Sequence, residues 1–168
     1  SLVNLFELSG HSEARERPDA IMVFGIPPEQ MGEDPTVFHY DEDADIAVGA
    51  VVKADERDYF GYFKKMMLTL HNVIQMRRGR VPIHGAMVKL KLRQGPETGI
   101  IIVGDSGAGK SETLEAFREL ADEWISDMTV IFDDMGSLLL EEDRIRGFGS
   151  EIGAFLRLDD LAPGYAFG

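Results

Sequence analysis

Eight consecutive residues, Gly104-Asp105-Ser106-Gly107-Ala108-Gly109-Lys110-Ser111, satisfy the pattern G-x-x-x-x-G-K-[ST] in full. Glycines in these places let backbone N–H groups turn inward and form a concave nest for anions. The lysine after the last glycine carries a point charge to the terminal phosphates, and the neighbouring hydroxyl is a hard ligand suited to Mg²⁺. From Glu112 to Leu120 the composition is helical, so the positive end of a helix would face the same phosphates. The pattern predicts a nucleotide phosphate site that includes Glu112 at its helical end.

Such a loop needs a metal-holding acid at the end of a neighbouring strand. Met128-Thr129-Val130-Ile131-Phe132 reads as a strand ending in Asp133-Asp134. One of these carboxylates would hold Mg²⁺ and the other would take a proton from an attacking hydroxyl. The competing reading makes the pair an acidic turn that opens a hairpin into Ser137 to Leu140. His84 stands at the start of a strand, where a lone histidine is more often a satisfied structural residue than a catalytic one. Arg77, Arg78 and Arg80 would form an anion clamp, or simply the cationic end of a helix.

Several elements must position these groups. Ala20 to Ile26 is an apolar run closed by Pro27-Pro28, the mark of a buried strand. Glu29 to Pro35 reads as a loop, Val37 to Tyr40 as a short strand, Asp41 to Asp45 as a solvated acidic turn, and Ile46 to Ala54 as another strand. Over Glu56 to Met76, Phe60, Phe63, Met67, Leu70 and Ile74 recur at spacings of three and four, which predicts an amphipathic helix stopped by Gly79. Ile83 to Arg93 alternates as a strand, and Gln94 to Gly99 is a turn. Ile100-Ile101-Ile102-Val103 is a continuous β-branched run, the pattern of a strand buried on both faces, and it leads straight into the glycine-rich loop.

Composition narrows the partners. The 168 residues suit one domain, and 44% hydrophobic with 28% charged residues is ordinary for a globular chain. Seventeen Lys and Arg against thirty Asp and Glu leave a net charge of −13. Such a surface repels nucleic-acid backbones and anionic membranes, while a local basic pocket for one small anion remains compatible with it. No apolar run reaches the ~18 residues of a membrane span. With no cysteine there is no disulfide or thiolate site, which suits a cytoplasmic location. The first ~18 residues are polar and weakly patterned, consistent with a mobile or partner-dependent start, and Ser1 in place of Met points to a processed beginning.

The run Gly104-Asp105-Ser106-Gly107-Ala108-Gly109-Lys110-Ser111-Glu112 resembles the G-D-S-G-x-G-K-S-E signature of HPr kinase/phosphorylase, a class related to the phosphoenolpyruvate carboxykinases. His84-Gly85 resembles the family's His-Gly on the strand before the loop, Asp133-Asp134 its paired aspartates, and Arg146-Gly147-Phe148-Gly149 the R-G-x-G of its E-I-R-G-x-G segment. The likeness runs over residues 78–161. It implies an α/β fold, a mixed sheet with flanking helices around the phosphate loop, incomplete at its C-terminus. Residues 1–80 would be a flanking region, strands plus the helix over 56–76, packed on a core of residues 81–168.

The resemblance also implies roles. Lys110 and the loop amides would bind the β- and γ-phosphates of ATP or GTP, with Ser111 and Asp134 on Mg²⁺. Asp133 would be the general base, with the two aspartates interchangeable, His84 would lie beside the transferred phosphoryl group, and Arg146 would contact phosphate or substrate. The activity implied is Mg²⁺-dependent transfer of a γ-phosphoryl group to a protein hydroxyl or a small anionic acceptor. A carboxykinase-type lyase or a regulatory nucleotide-binding module are the alternatives, and the family resemblance suggests a homo-oligomer. Where the family has an acidic residue two positions before its arginine, this chain has Arg144; Glu142 and Glu151 are the carboxylates placed to compensate.

Overall fold

The computed structural model describes residues 6–10, 17–54, 60–104, 107–119 and 121–151. The remainder of the first ~18 residues, and the stretch beyond Glu151, lie outside the described residues. The chain forms a mixed α/β structure with two sheets and few helices. Strand β1 (Ala20–Ile26), a one-turn helix α1 (Pro28–Met31), β2 (Thr36–Asp41) and β3 (Ile46–Val52) open it. Helix α2 (Phe60–Arg77), β4 (Val81–Leu92), β5 (Glu97–Val103), α3 (Lys110–Glu119), α4 (Ala121–Trp124), β6 (Ile125–Glu141) and β7 (Arg144–Gly149) follow.

The first sheet has the order β1-β3-β2, with β1 parallel and β2 antiparallel to β3. The acidic cluster forms the β2–β3 turn. Its Asp41 side chain accepts the Ala44 N–H at 2.8 Å, and the Tyr40 hydroxyl donates to Asp45. Met66 and Leu70 of α2 bury themselves on Ala47 and Val51, with Ala20, Met22, Tyr40 and Ile74 around them. A side chain at Gly49 would meet Met66 Sδ at 2.8 Å, so a glycine is what lets the helix lie this close. At its C-terminus α2 closes in a Schellman motif. Gly79 takes φ +74°, its N–H donates to Met76 O at 3.0 Å, and the Arg80 N–H donates to Gln75 O at 2.9 Å.

The second sheet has the order β5-β4-β6-β7 and is antiparallel throughout. Here the expectation of a mixed sheet around the loop is corrected, because the one parallel pairing among the described residues is between β1 and β3. The reason is connection length: β4–β5 and β6–β7 are joined by short turns, which permit only antiparallel neighbours. β5 and β6 do run in the same direction, but they flank β4 and the α3–α4 crossover passes over it. One face of this sheet carries α3, with Ala86, Val88, Leu90, Leu114 and Ile125 as its core.

Two further expectations are corrected here. β5 is an edge strand, not one buried on both faces, and Val103 is 67% exposed. Only Ile100 and Ile102 pack against the core, and a β-branched run suits a half-covered edge as well as a central strand. Asp133 and Asp134 do not end a strand or open a turn. β6 runs on through them to Glu141, because β4 and then β7 continue to pair with it. No described helix is long and apolar enough to cross a membrane.

Candidate functional site

The glycine-rich loop leaves β5 at Gly104 and enters α3 at Lys110. Gly107 and Gly109 adopt φ of +79° and +84°, a region open to glycine at little cost. A Cβ on Gly104 would lie 2.9 Å from the Ala108 Cβ, so the loop is folded tightly on itself. Lys110 is buried and bends back to donate to Gly104 O at 3.0 Å. Thr113 secures the first turn of α3, its N–H and Oγ1 donating to Gly109 O at 3.0 and 2.7 Å. Glu112 lies exposed in that turn. Asp105 and Ser106 lie outside the described residues.

The two aspartates of β6 have different partners, and only Asp133 reaches a residue of this loop and its helix. Asp133 stands opposite Ala86, whose side chain belongs to the α3-covered core. Its Oδ1 accepts the Ser111 hydroxyl at 3.2 Å. Asp134 stands opposite Gly85 with φ +86°, a conformation that is costly for a residue with a Cβ and that clusters at functional sites. Its Oδ1 lies 3.1 Å from His84 Nε2, and its Oδ2 accepts Lys64 Nζ at 2.8 Å.

Lys64 comes from α2, outside the segment that the motifs cover. Its side chain is 8% exposed and its ammonium is shared, since Glu151 Oε1 lies 3.0 Å away. Burial pushes the Lys64 ammonium down, but hydrogen bonds and charge from Asp134 and Glu151 outweigh it and the net shift is upward. Burial pushes the Asp134 carboxyl up, yet the Lys64 hydrogen bond and charge, with help from His84, bring it below its usual range. Glu151 goes the other way. Burial raises it, Lys64 only partly pulls it back, and the negative Asp134 and Asp133 add to the upward push.

His84, Lys110, Ser111, Asp133 and Asp134 are therefore linked into one region through the Ser111–Asp133 and His84–Asp134 contacts and the intervening β6 backbone. Arg146 is not part of it. Its guanidinium pairs with Glu141 at 3.1 Å, and in the β6–β7 pairing it stands opposite Leu139. Nor do Arg77, at the end of α2, and Arg78 and Arg80 just past it make a clamp. Arg77 grips Glu42 with two hydrogen bonds and lies 3.8 Å over the Tyr40 ring. Arg78 pairs with Asp19 at 2.6 Å, and Arg80 holds Gln75 at 2.9 Å and covers Phe148 at 3.8 Å. Each arginine anchors a different element.

Lys64 is the residue that motif reading passed over. A signal existed, because Lys64 falls four residues after Phe60 and three before Met67, inside the apolar stripe where a cation is out of place. Among the described residues no three His, Cys, Asp or Glu side chains form a ready metal-ligating cluster. Comparison with protein-family models, with curated proteins and with solved structures gives no match for this chain.

Proposed function

We propose that this chain is a Mg²⁺-dependent, nucleotide-binding phosphotransferase that passes the γ-phosphoryl group of ATP or GTP in line to a protein hydroxyl or a small anionic acceptor. The observation that carries this reading is the Ser111–Asp133 hydrogen bond. It joins two sequence motifs, 22 residues apart, at the mouth of the phosphate loop. Two hard oxygen donors side by side fit Mg²⁺, so Ser111 and Asp133 would hold the ion, which when bound supplies charge neutralisation at the phosphates. This exchanges the roles that the resemblance implies for the two aspartates, because Asp133 is the one that meets Ser111, and the Lys64 ammonium on Asp134 Oδ2 would repel a metal ion there.

The protein's own part is positioning and electrostatics. The amides of the loop and of the first turn of α3 cradle the phosphates, and Lys110 neutralises them once it leaves Gly104 O. Asp134, held ionised by Lys64, accepts the acceptor's proton, with His84 as its hydrogen-bonded neighbour. The scattered arginines offer no paired cradle for a dicarboxylate, so the carboxykinase alternative gains no support from them.

The test is calorimetric titration with Mg²⁺–ATP, Mg²⁺–GTP and Mg²⁺–pyrophosphate on the wild type and Lys110→Ala. The expected outcome is binding by the wild type that is lost in the variant; equal affinity in both defeats the phosphate-loop reading. Asp134→Asn should keep nucleotide affinity within a few-fold while slowing transfer by ~10² or more, the usual scale for a lost base.

A further inference from the structure

Glu151 lies two residues past the end of β7 and is held there from two sides. Ser150 Oγ donates to Met135 O at 2.8 Å, and Phe148 lies beneath the Arg80 guanidinium. Gly149 lets β7 press against β6 here, since a Cβ would come within 2.5 Å of Ile131 O. The Glu151 side chain is 4% exposed, and its Oε1 lies 3.0 Å from the Lys64 ammonium. A carboxylate withdrawn from water is expensive to keep unless it is paired. Among the described residues Lys64 is its cationic partner, and the same ammonium lies 2.8 Å from Asp134. Two carboxylates thus divide one ammonium between them.

We propose that Glu151 is a positioning residue, which holds the far side of Lys64 and so fixes the ammonium on Asp134 Oδ2 while Asp134 Oδ1 stays directed at His84 and towards an acceptor. Without this second carboxylate, Lys64 would lose one of its two anchors and Asp134 its fixed orientation. Glu151 is set by β7, Lys64 by α2 and Asp134 by β6, so the balance is a property of three elements. Its catalytic consequence rests on the phosphotransferase reading above, whereas the shared ammonium can be tested without it.

The test uses the full chain as wild type, Glu151→Gln and Glu151→Asp, with two readings. The first is the ¹⁵N signal of the Lys64 ammonium, assigned by its loss in Lys64→Arg. The second is steady-state hydrolysis of Mg²⁺–ATP, in which water takes the phosphoryl group and ADP and inorganic phosphate are released. In Glu151→Gln the Lys64 signal should shift and kcat should fall about 10-fold or more, the scale on which outer-layer partners act, with KM within about twofold. Glu151→Asp keeps the charge but withdraws it by one methylene, and should fall between wild type and Glu151→Gln on both readings. It decides the question alone if Glu151→Gln does not fold. An unmoved Lys64 signal overturns the proposal, as does an unchanged kcat in a hydrolysing wild type. A wild type that neither binds nor hydrolyses Mg²⁺–ATP defeats the phosphotransferase reading instead, and the Lys64 signal still decides the positioning.

Discussion

Gly85 is where the geometry makes its most exposed commitment. It sits in β4 between Val103 of β5 and Asp134 of β6. A Cβ placed on it would lie 2.6 Å from the carbonyl oxygen of Ile102 and 3.2 Å from Ile83 Cγ2. An ordinary carbon–oxygen contact is about 3.4 Å, so Gly85→Ala must push β4 and β5 apart by ~0.8 Å at this point. The obstructing atom is backbone and cannot rotate away, while the Ile102 side chain is packed into the α3 core. Overpacking of this kind costs about 1–3 kcal/mol. At a urea slope of about 2 kcal/mol per molar, the unfolding midpoint should fall by roughly 0.5–1.5 M.

The displacement also has a functional reach. Ile102 lies two residues before Gly104, where the glycine-rich loop begins, and His84 is adjacent to the substituted position. Misplacement by most of an ångström should therefore weaken Mg²⁺–ATP binding about 10-fold or more. Urea unfolding followed by circular dichroism and calorimetric titration together provide the assay. A variant that unfolds at the wild-type midpoint and binds as tightly would show that the close approach of β4 to β5 constrains nothing.

Three further outcomes follow from the same contacts. Lys64→Met leaves Glu151 buried without its cation and should destabilise by about 3 kcal/mol, the low end for a broken buried pair because Asp134 is still half in water. The deficit should shrink between pH 7 and pH 5. Glu151 has a raised pKa, so its ionised form burdens the fold above that value and the burden vanishes on protonation; a deficit that does not change with pH contradicts this. His71 is lowered by burial, against a hydrogen bond that it donates to Asn72, which raises it, with Arg78 and Arg80 adding to the fall. A lowered histidine favours the neutral folded state, so its contribution is complete above about pH 6.5 and is lost as the pH drops towards the lowered value. Denaturant midpoints measured from pH 7 to pH 5 should fall less steeply in His71→Leu than in the wild type; equal slopes would remove His71 from the account.

Much of the local structure was legible because it depends on neighbours in sequence. The apolar run Ala20–Ile26 became β1, although as a half-exposed edge strand and not the buried one expected, the acidic cluster became a turn, and the three-and-four spacing from Phe60 to Ile74 became α2 with Gly79 as its stop. The glycine-rich loop was legible for the same reason: its positive-φ glycines and the helix behind them are local requirements. β5 was misread as buried on both faces because β-branched residues signal an extended strand without saying how many neighbours it has. Asp133 and Asp134 were misread as a strand end because polarity marks a terminus only where nothing pairs beyond it, and here β4 and β7 do.

The residue types and spacing alone determined that this chain carries a glycine-rich loop leading into a helix, a pair of adjacent carboxylates further on and a helix with one face turned inward. Only the tertiary structure decided which of those groups meet. It brought Asp133 to Ser111 and Asp134 to His84, sent Arg146, Arg77, Arg78 and Arg80 to separate anchors, and placed Lys64 and Glu151 beside the aspartates. Lys64 precedes Asp134 by 70 residues and Glu151 by 87. Contacts over such separations are created by sheet register and helix packing, and no periodicity of either segment encodes them.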